Sequence, residues 1–372
     1  MTDDIPQPDK IDGAPHPRQT TTLHGQDAAM QGFLTAYTSG RLHSGWLITG
    51  PRGVGKATLA WKIATFLLAE APAGDSLFGD QVPPTSLTVD ADHPDARLVQ
   101  SGAHPRLFVV RRPYDEKTAK LKSEITVDTV RGLKGFFQMS AADGGRRVVI
   151  VDSADELNRN AANAILKELE EPPLNTTLLL IAHQPSRLLP TIRSRCRELR
   201  LAQLAPDALQ AALTDAGQHT DASEALASLS SGSAGDAIRL LNHDGLPLYA
   251  QIVHLFDSLP NFDRPAALKL ADSCAGRGSD VRFALTLDLI DHFIARAARA
   301  GLMGEPKTQG ALGEARLLAR LSPDDNAARA WAKLQQSMSA RARHGKAVNL
   351  DPAALILDIL FQIEQTARKA AT

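Results

Sequence analysis

Gly50, Gly53, Gly55 and Lys56 stand close together in GPRGVGKAT, directly after the apolar run WLIT. Their spacing fits G-x-x-x-x-G-K-[ST]. In that motif backbone N–H groups and a helix N-terminus hold phosphate oxygens, the Lys reaches the β and γ oxygens, and a hydroxyl ligates Mg²⁺. The hydroxyl position is Ala57 here. Thr58 follows it, but one step along a helix turns a side chain by about 100°, so Thr58 does not simply stand in. The second element of such a site is an apolar strand ending in Asp, which holds Mg²⁺. RRVVIVD supplies Asp152, and the next residue is Ser153, neither a carboxylate nor long enough to act as one. Gly50, Gly53, Gly55, Lys56, Thr58 and Asp152 therefore form a candidate ATP or ADP site that can cradle phosphates and is poorly equipped to cut them.

These residues need a strand feeding the loop and a helix leaving it. GWLITG reads as that strand and KATLAWKIATFLLAE as that helix. Further buried strands are expected at RLFVV (Arg106–Val110), RRVVIVD and TTLLLIA, with helices VDTVRGLKGFFQM, capped by Thr126 or Asp128, and ELNRNAANAILKELEEPP between them. Asp155 and Glu156 fit the first turn of the latter helix, where acids favour the dipole. Continuous apolar strands alternating with helices imply a parallel sheet covered on both faces. Residues 1–21 are polar and Pro-rich and expected to be disordered. The stretch from Pro72 to Gly102 reads as a long excursion, and RRPYDEKTAKLKSE as a polar insert. After Leu201 the chain turns Ala/Leu-rich with helical spacing. The expected division is an α/β P-loop domain over 22–201, a small helical lid over 202–244 and an all-helical domain over 245–372.

Composition excludes several classes. The 41 basic and 42 acidic residues cancel, so no global field draws the protein to nucleic acid or membrane. Two cysteines, Cys196 and Cys274, make neither a disulfide framework nor a zinc ligand set. No apolar run approaches the roughly 18 residues of a membrane helix, and MTDDIPQPDK does not read as a signal peptide. A cytoplasmic protein without a metal is expected. Arg111, Arg112, Lys117, Lys120 and Lys122 of the insert could touch DNA phosphates, but a solvated loop is the plainer reading, since phosphate binding usually shows denser basicity.

Three longer stretches carry a resemblance: HGQDAAMQGFLTAYTSGRLHSGWLITGPRGVGKAT, then VVIVDSADELNRNAANAILKELEEPP, then LLLIAHQPSRLLPTIRSRCREL. In this order they resemble the AAA+ clamp-loader subunits of the bacterial DNA polymerase III holoenzyme, over roughly residues 22–366. Leu169–Pro173 and Ser194–Cys196 are the distinctive pieces. The resemblance implies a role in loading the sliding clamp onto primed DNA during replication. Implied partners are the motor subunits (gamma/tau) and the clamp-opening subunit (delta), held by a helical collar at 245–372. Arg195 would then be an arginine finger reaching a neighbour's ATP site; without the resemblance it reads as a helix contact with Glu198. Cys196 reads as a buried packing residue. The motor has Glu where Ser153 stands, a Thr-containing sensor where this chain has AHQPSRL, and a lid Arg where Gly235 stands; Arg239 lies one turn later and is not promoted. Many family members carry a four-cysteine zinc module where this chain has none, and His93 and His104 there read as ordinary surface or loop histidines. The departures favour a non-hydrolysing stator. The alternatives are an active AAA+ ATPase motor and, more remotely, an unrelated P-loop switch.

Overall fold

The computed structural model describes residues 6–69, 83–139, 145–347 and 350–370. Its chain divides into two compact units. The first comprises residues 1–219 with 232–235, and the second residues 220–231 with 236–372.

The first unit is built on a five-stranded parallel sheet. Its strands are β1 (Gly45–Thr49), β2 (Leu107–Arg111), β5 (Arg147–Asp152), β6 (Thr176–Ala182) and β7 (Arg197–Arg200), in the order β2-β5-β6-β1-β7. Every residue of β1 and β6 is buried, as the unbroken apolar runs require for strands with helices on both faces. One face carries a core of Phe33, Trp46, Ile48, Leu59, Ile63, Val148 and Leu179, contributed with α1 (Asp27–Thr38) and α2 (Lys56–Ala69). The other face packs Val149, Val151, Leu178 and Leu180 against α4 (Val127–Met139) and α5 (Arg159–Glu170), through Val130, Leu133, Ile165 and Leu169. The four strands expected from apolar runs are present, within a residue or two.

Several local readings change in the structure. The fifth strand, RELR, has only Leu199 buried and runs along the sheet edge, so no apolar run announces it. The polar insert contains a small antiparallel hairpin, β3 (Tyr114–Asp115) with β4 (Lys120–Leu121). Part of the expected excursion, 70–82, lies outside the described residues; the remainder holds α3 (Pro94–Ser101), N-capped by His93, whose Nδ1 accepts from the Asp95 N–H at 3.3 Å. His104, read as a surface or loop histidine, lies in the loop after α3 but is buried, with Nε2 3.0 Å from Asp95 Oδ1. Finally, residues 6–21 are not a loose tail. Residues 1–5 lie outside the described residues, but His16 is buried edge-on against Trp61 and caps a 3-10 turn at Pro17–Gln19.

The helices expected of the lid divide: α7 (Pro206–Asp215) belongs to the first unit, while α8 (Ser223–Ser230) and most of α9 (Ala234–Asn242) belong to the second. Beyond them the second unit is wholly helical among its described residues, from α10 (Gly245–Asp257) and α11 (Arg264–Asp272) through α12 (Asp280–Met303), α13 (Glu314–Leu321) and α14 (Asp325–Ala347) to α15 (Pro352–Ala370). Its core gathers Tyr249, Phe256, Phe293, Trp331 and Ile359. Glu314, fully buried there, accepts from the Tyr249 hydroxyl and from the Gly310 N–H at 2.6 Å, and pairs with Arg296 Nε at 2.6 Å.

Candidate functional site

The parallel sheet sets two sites at its opposite ends. At the carboxyl end of β1 the chain enters the Gly-rich loop and then α2. Gly53 and Gly55 have φ of +72° and +100°, backbone that L side chains rarely adopt. They let the loop curl around the start of the helix. Lys56 is 3% exposed, and its ammonium donates to the Gly50 carbonyl at 2.8 Å and also to the Pro51 carbonyl. Burial pulls its pKa down to about 8, against the opposing charges of Asp152 and Asp155. Ala57 and Thr58 follow on α2, both partly buried. Gln26, which sequence reasoning passed over, clamps the loop: its amide donates to the carbonyls of Val54 and Ala202, and its Oε1 accepts from the Ala202 N–H.

Asp152 ends β5, two strands from β1, so the sheet brings it to the same end as Lys56, as open parallel sheets do with ligand-binding groups. Burial, then the charge of Asp9, raises its carboxyl to about pH 7, with the Ser153 hydroxyl bond opposing. Ser153 Oγ donates to Asp152 Oδ1 at 3.1 Å and lies 2.9 Å from His183 Nε2. His183 follows β6, and burial and the Lys56 charge hold it down to about pH 4, so it is neutral at physiological pH. The Ser153 hydroxyl is thus held between Asp152 and a neutral imidazole. Asp155 and Glu156 do not start the following helix. They form a 3-10 turn at Ala154–Glu156; Asp155 accepts from the His183 and Gln184 N–H groups, and Glu156 pairs with Arg112 at 2.8 Å. α5 begins at Arg159, capped by Asn158 Oδ1 accepting from Ala161 N at 2.9 Å. Arg112 is thus engaged within the chain, and Arg111 likewise bonds Gln7.

Arg195 lies at the other end. It closes α6 (Pro190–Ser194) immediately before β7, whose first residue Arg197 is in register with Trp46, at the start of β1. A Cβ on Gly45 would meet the Arg195 carbonyl at 3.1 Å. Since a strand rises about 3.3 Å per residue, the five residues of β1 put Arg195 roughly 15 Å from its own phosphate cradle. Its guanidinium, 39% exposed, pairs with Glu170 at 2.9 Å and donates to the Thr191 carbonyl at 3.2 Å. It borders an open cavity of about 610 Å³ with His43, Ser44, Glu170, Glu171 and Ser194. Glu198, its alternative partner from spacing, instead accepts from the Thr49 hydroxyl at 2.6 Å. Cys196 packs behind it, and burial pushes its thiol up to about 12.

Residues 25–205 match the family described as DNA polymerase III, delta subunit. The chain is 41% identical over 212 residues to the DNA polymerase III subunit delta' of Pseudomonas aeruginosa, covering 56% of this chain and 58% of that one. Over residues 25–205, just under half of its length, the chain is similar to the DNA polymerase III delta-subunit family. The Escherichia coli subunit delta' is 34% identical over 57% of this chain and 58% of its own length. The DNA polymerase III subunit tau of Salmonella typhimurium is 28% identical over 50% of this chain and 26% of its own. The chain thus spans under three fifths of the length of the Pseudomonas and Escherichia relatives. Within the family segment lie both the cradle and Arg195. Among the described residues no helix is long and apolar enough to cross a membrane, and no group of His, Cys, Asp or Glu has the arrangement of a metal site.

Proposed function

We propose that this chain is a delta'-like stator subunit of a DNA polymerase III clamp loader, working in the cytoplasm. It assembles with motor subunits (gamma/tau) and a clamp-opening subunit (delta), and so serves indirectly to place a sliding clamp on primed DNA. The observation that carries this reading is the separation of the two sites. An Arg at the amino end of β1 cannot serve the cradle at the carboxyl end of the same sheet, yet it is half-exposed at the rim of an open cavity, which supports a role toward a neighbour's nucleotide. Fingers act by neutralising charge on a transferring γ-phosphate in trans. The replacement of a hydroxyl by Ala57 and of a carboxylate by Ser153 supports a subunit that itself hydrolyses little or no ATP. In this reading the second unit's helices supply the collar that binds partners.

Co-purification with candidate motor and clamp-opening subunits, followed by native mass measurement, tests the proposal. A stable complex containing this chain, with no ATPase from the isolated chain, is expected. Turnover by the isolated chain that Lys56→Ala abolishes would support the motor alternative instead.

A further inference from the structure

The segment ahead of α1 bears on the cradle itself. The Asp9 side chain is 3% exposed; its carboxylate accepts from Trp61 Nε1 at 3.2 Å and lies 3.4 Å from His16 Nε2 and 3.5 Å from Arg111 Nη1. Gln7 Oε1 accepts from Arg111 Nη1 at 2.8 Å and lies 2.8 Å from His16 Nε2. Arg111 ends β2 in register with Asp152, so this anchor holds Asp9 at the carboxyl end of the sheet, near Asp152. Burial pulls the Asp9 carboxyl up, but the bond to His16 and the charges of His16 and Arg111 outweigh it and keep Asp9 below its ordinary value. Asp9 is therefore an anion at neutral pH.

From there the chain runs across the loop. Ile11 Cδ1 lies 2.8 Å from where a Cβ on Gly235 would stand, and the Gly235 N–H donates to the Gly53 carbonyl at 3.1 Å. The Ser233 hydroxyl sits over Gly53, 2.2 Å from its absent Cβ, and Leu23 covers Gly55 at 2.5 Å by the same measure. The Gly13 carbonyl is held by Gln218 Nε2 at 2.9 Å, and the Thr21 carbonyl by Lys62. Beneath this cover the Lys56 ammonium is folded onto its own loop.

We propose that residues 7–23 are a strap that keeps this chain's own phosphate cradle closed, with the Asp9 carboxylate standing near the place of a nucleotide's terminal phosphates. Entry of a nucleoside di- or triphosphate requires the Ile11–Gly235–Gly53 contacts to part, and brings polyphosphate charge against Asp9 and Asp152. Apparent affinity is the intrinsic affinity reduced by the fraction of molecules whose site is open, so loosening the strap exposes a binding site that the intact chain hides. This goes beyond the stator reading: it concerns the chain's own cradle, and its failure would leave assembly and Arg195 untouched.

The test is titration of the full chain with N-methylanthraniloyl-ADP and Mg²⁺, followed by fluorescence. The wild type should show no saturable binding. The double variant Asp9→Asn, Ile11→Ser should bind at least about tenfold more tightly, as the open fraction rises, and adding Lys56→Ala should remove the gain. Should the double variant melt early, Asp9→Asn alone decides, since it keeps one acceptor oxygen for Trp61 while removing the negative charge; it too should tighten binding. Saturable wild-type binding equal to the variants', or folded variants that bind no better than wild type, would overturn the strap.

Discussion

Arg195 stands at the opposite end of β1 from its own cradle. Its partners Glu170 and Thr191 are exposed or backbone groups, and such surface pairs contribute at most about 1 kcal/mol. Arg195→Ala should therefore leave melting and assembly nearly unchanged while lowering hydrolysis at the one motor site facing this subunit by roughly 10³–10⁵. Arg195→Lys should not rescue it, because a flexible ammonium lacks the planar fork. Steady-state ATPase and clamp loading by reconstituted complexes measure both; wild-type values with assembly intact would return Arg195 to a structural role. Asp152 gives a second residue-scale prediction. Its carboxyl is raised to about 7 by burial and the Asp9 charge, so between about pH 4 and 7 the folded state holds a proton that the unfolded state has released. Stability should fall as pH rises through that window, and Asp152→Asn should flatten the fall. Thermal melts of both proteins across pH 4 to 8 check it, and parallel curves would refute it. The meeting of Lys56 with Asp152 at one end of the sheet is legible in the sequence, because Gly50–Lys56 and Asp152 are local signals. His183 was not: nothing in AHQPSRL says that β6 will deliver an imidazole 2.9 Å from Ser153. Nor was Gln26, whose three bonds join residues far apart in the chain.

Among the elements, those with strong local punctuation were read well. α4 spans the expected VDTVRGLKGFFQM, and α5 ends before the two prolines that cannot continue it. β7 was missed because three of its four residues are charged and its place comes from pairing with β1. The strap was missed for the same reason, since Asp9, His16 and Trp61 find each other only in the fold. Buried charge makes the second unit's elements testable. Glu314 joins α10, α12 and α13 through Tyr249, Arg296 and the Gly310 N–H. Glu314→Ala leaves Arg296 without its buried counter-ion and should cost about 3–5 kcal/mol, read as a lower urea midpoint. A loss below about 1 kcal/mol would mean that water or another group takes over. Glu314→Gln, keeping the acceptor oxygen, should lose less.

For the whole molecule, the division into two units predicts separable roles. Both faces of the sheet are covered from within residues 23–201, so a chain ending at residue 219 should still melt cooperatively. If the helices beyond it carry the collar, that truncated chain should no longer co-elute with partner subunits; co-elution at unchanged affinity would place the binding surface on the first unit instead. The opposed placement of Arg195 and Lys56 along β1 also gives the molecule a direction. Head-to-tail contacts, which join two different surfaces of successive protomers, propagate into rings or filaments unless something stops them. A protomer that can complete its neighbour's site, but whose own receiving end is shut, is a chain terminator. On the proposed reading, copies of it would not string together through their nucleotide sites, and a row of motors would end where it meets one. The number of such subunits in an assembly would then be set at one by geometry, with no need for the cell to count them.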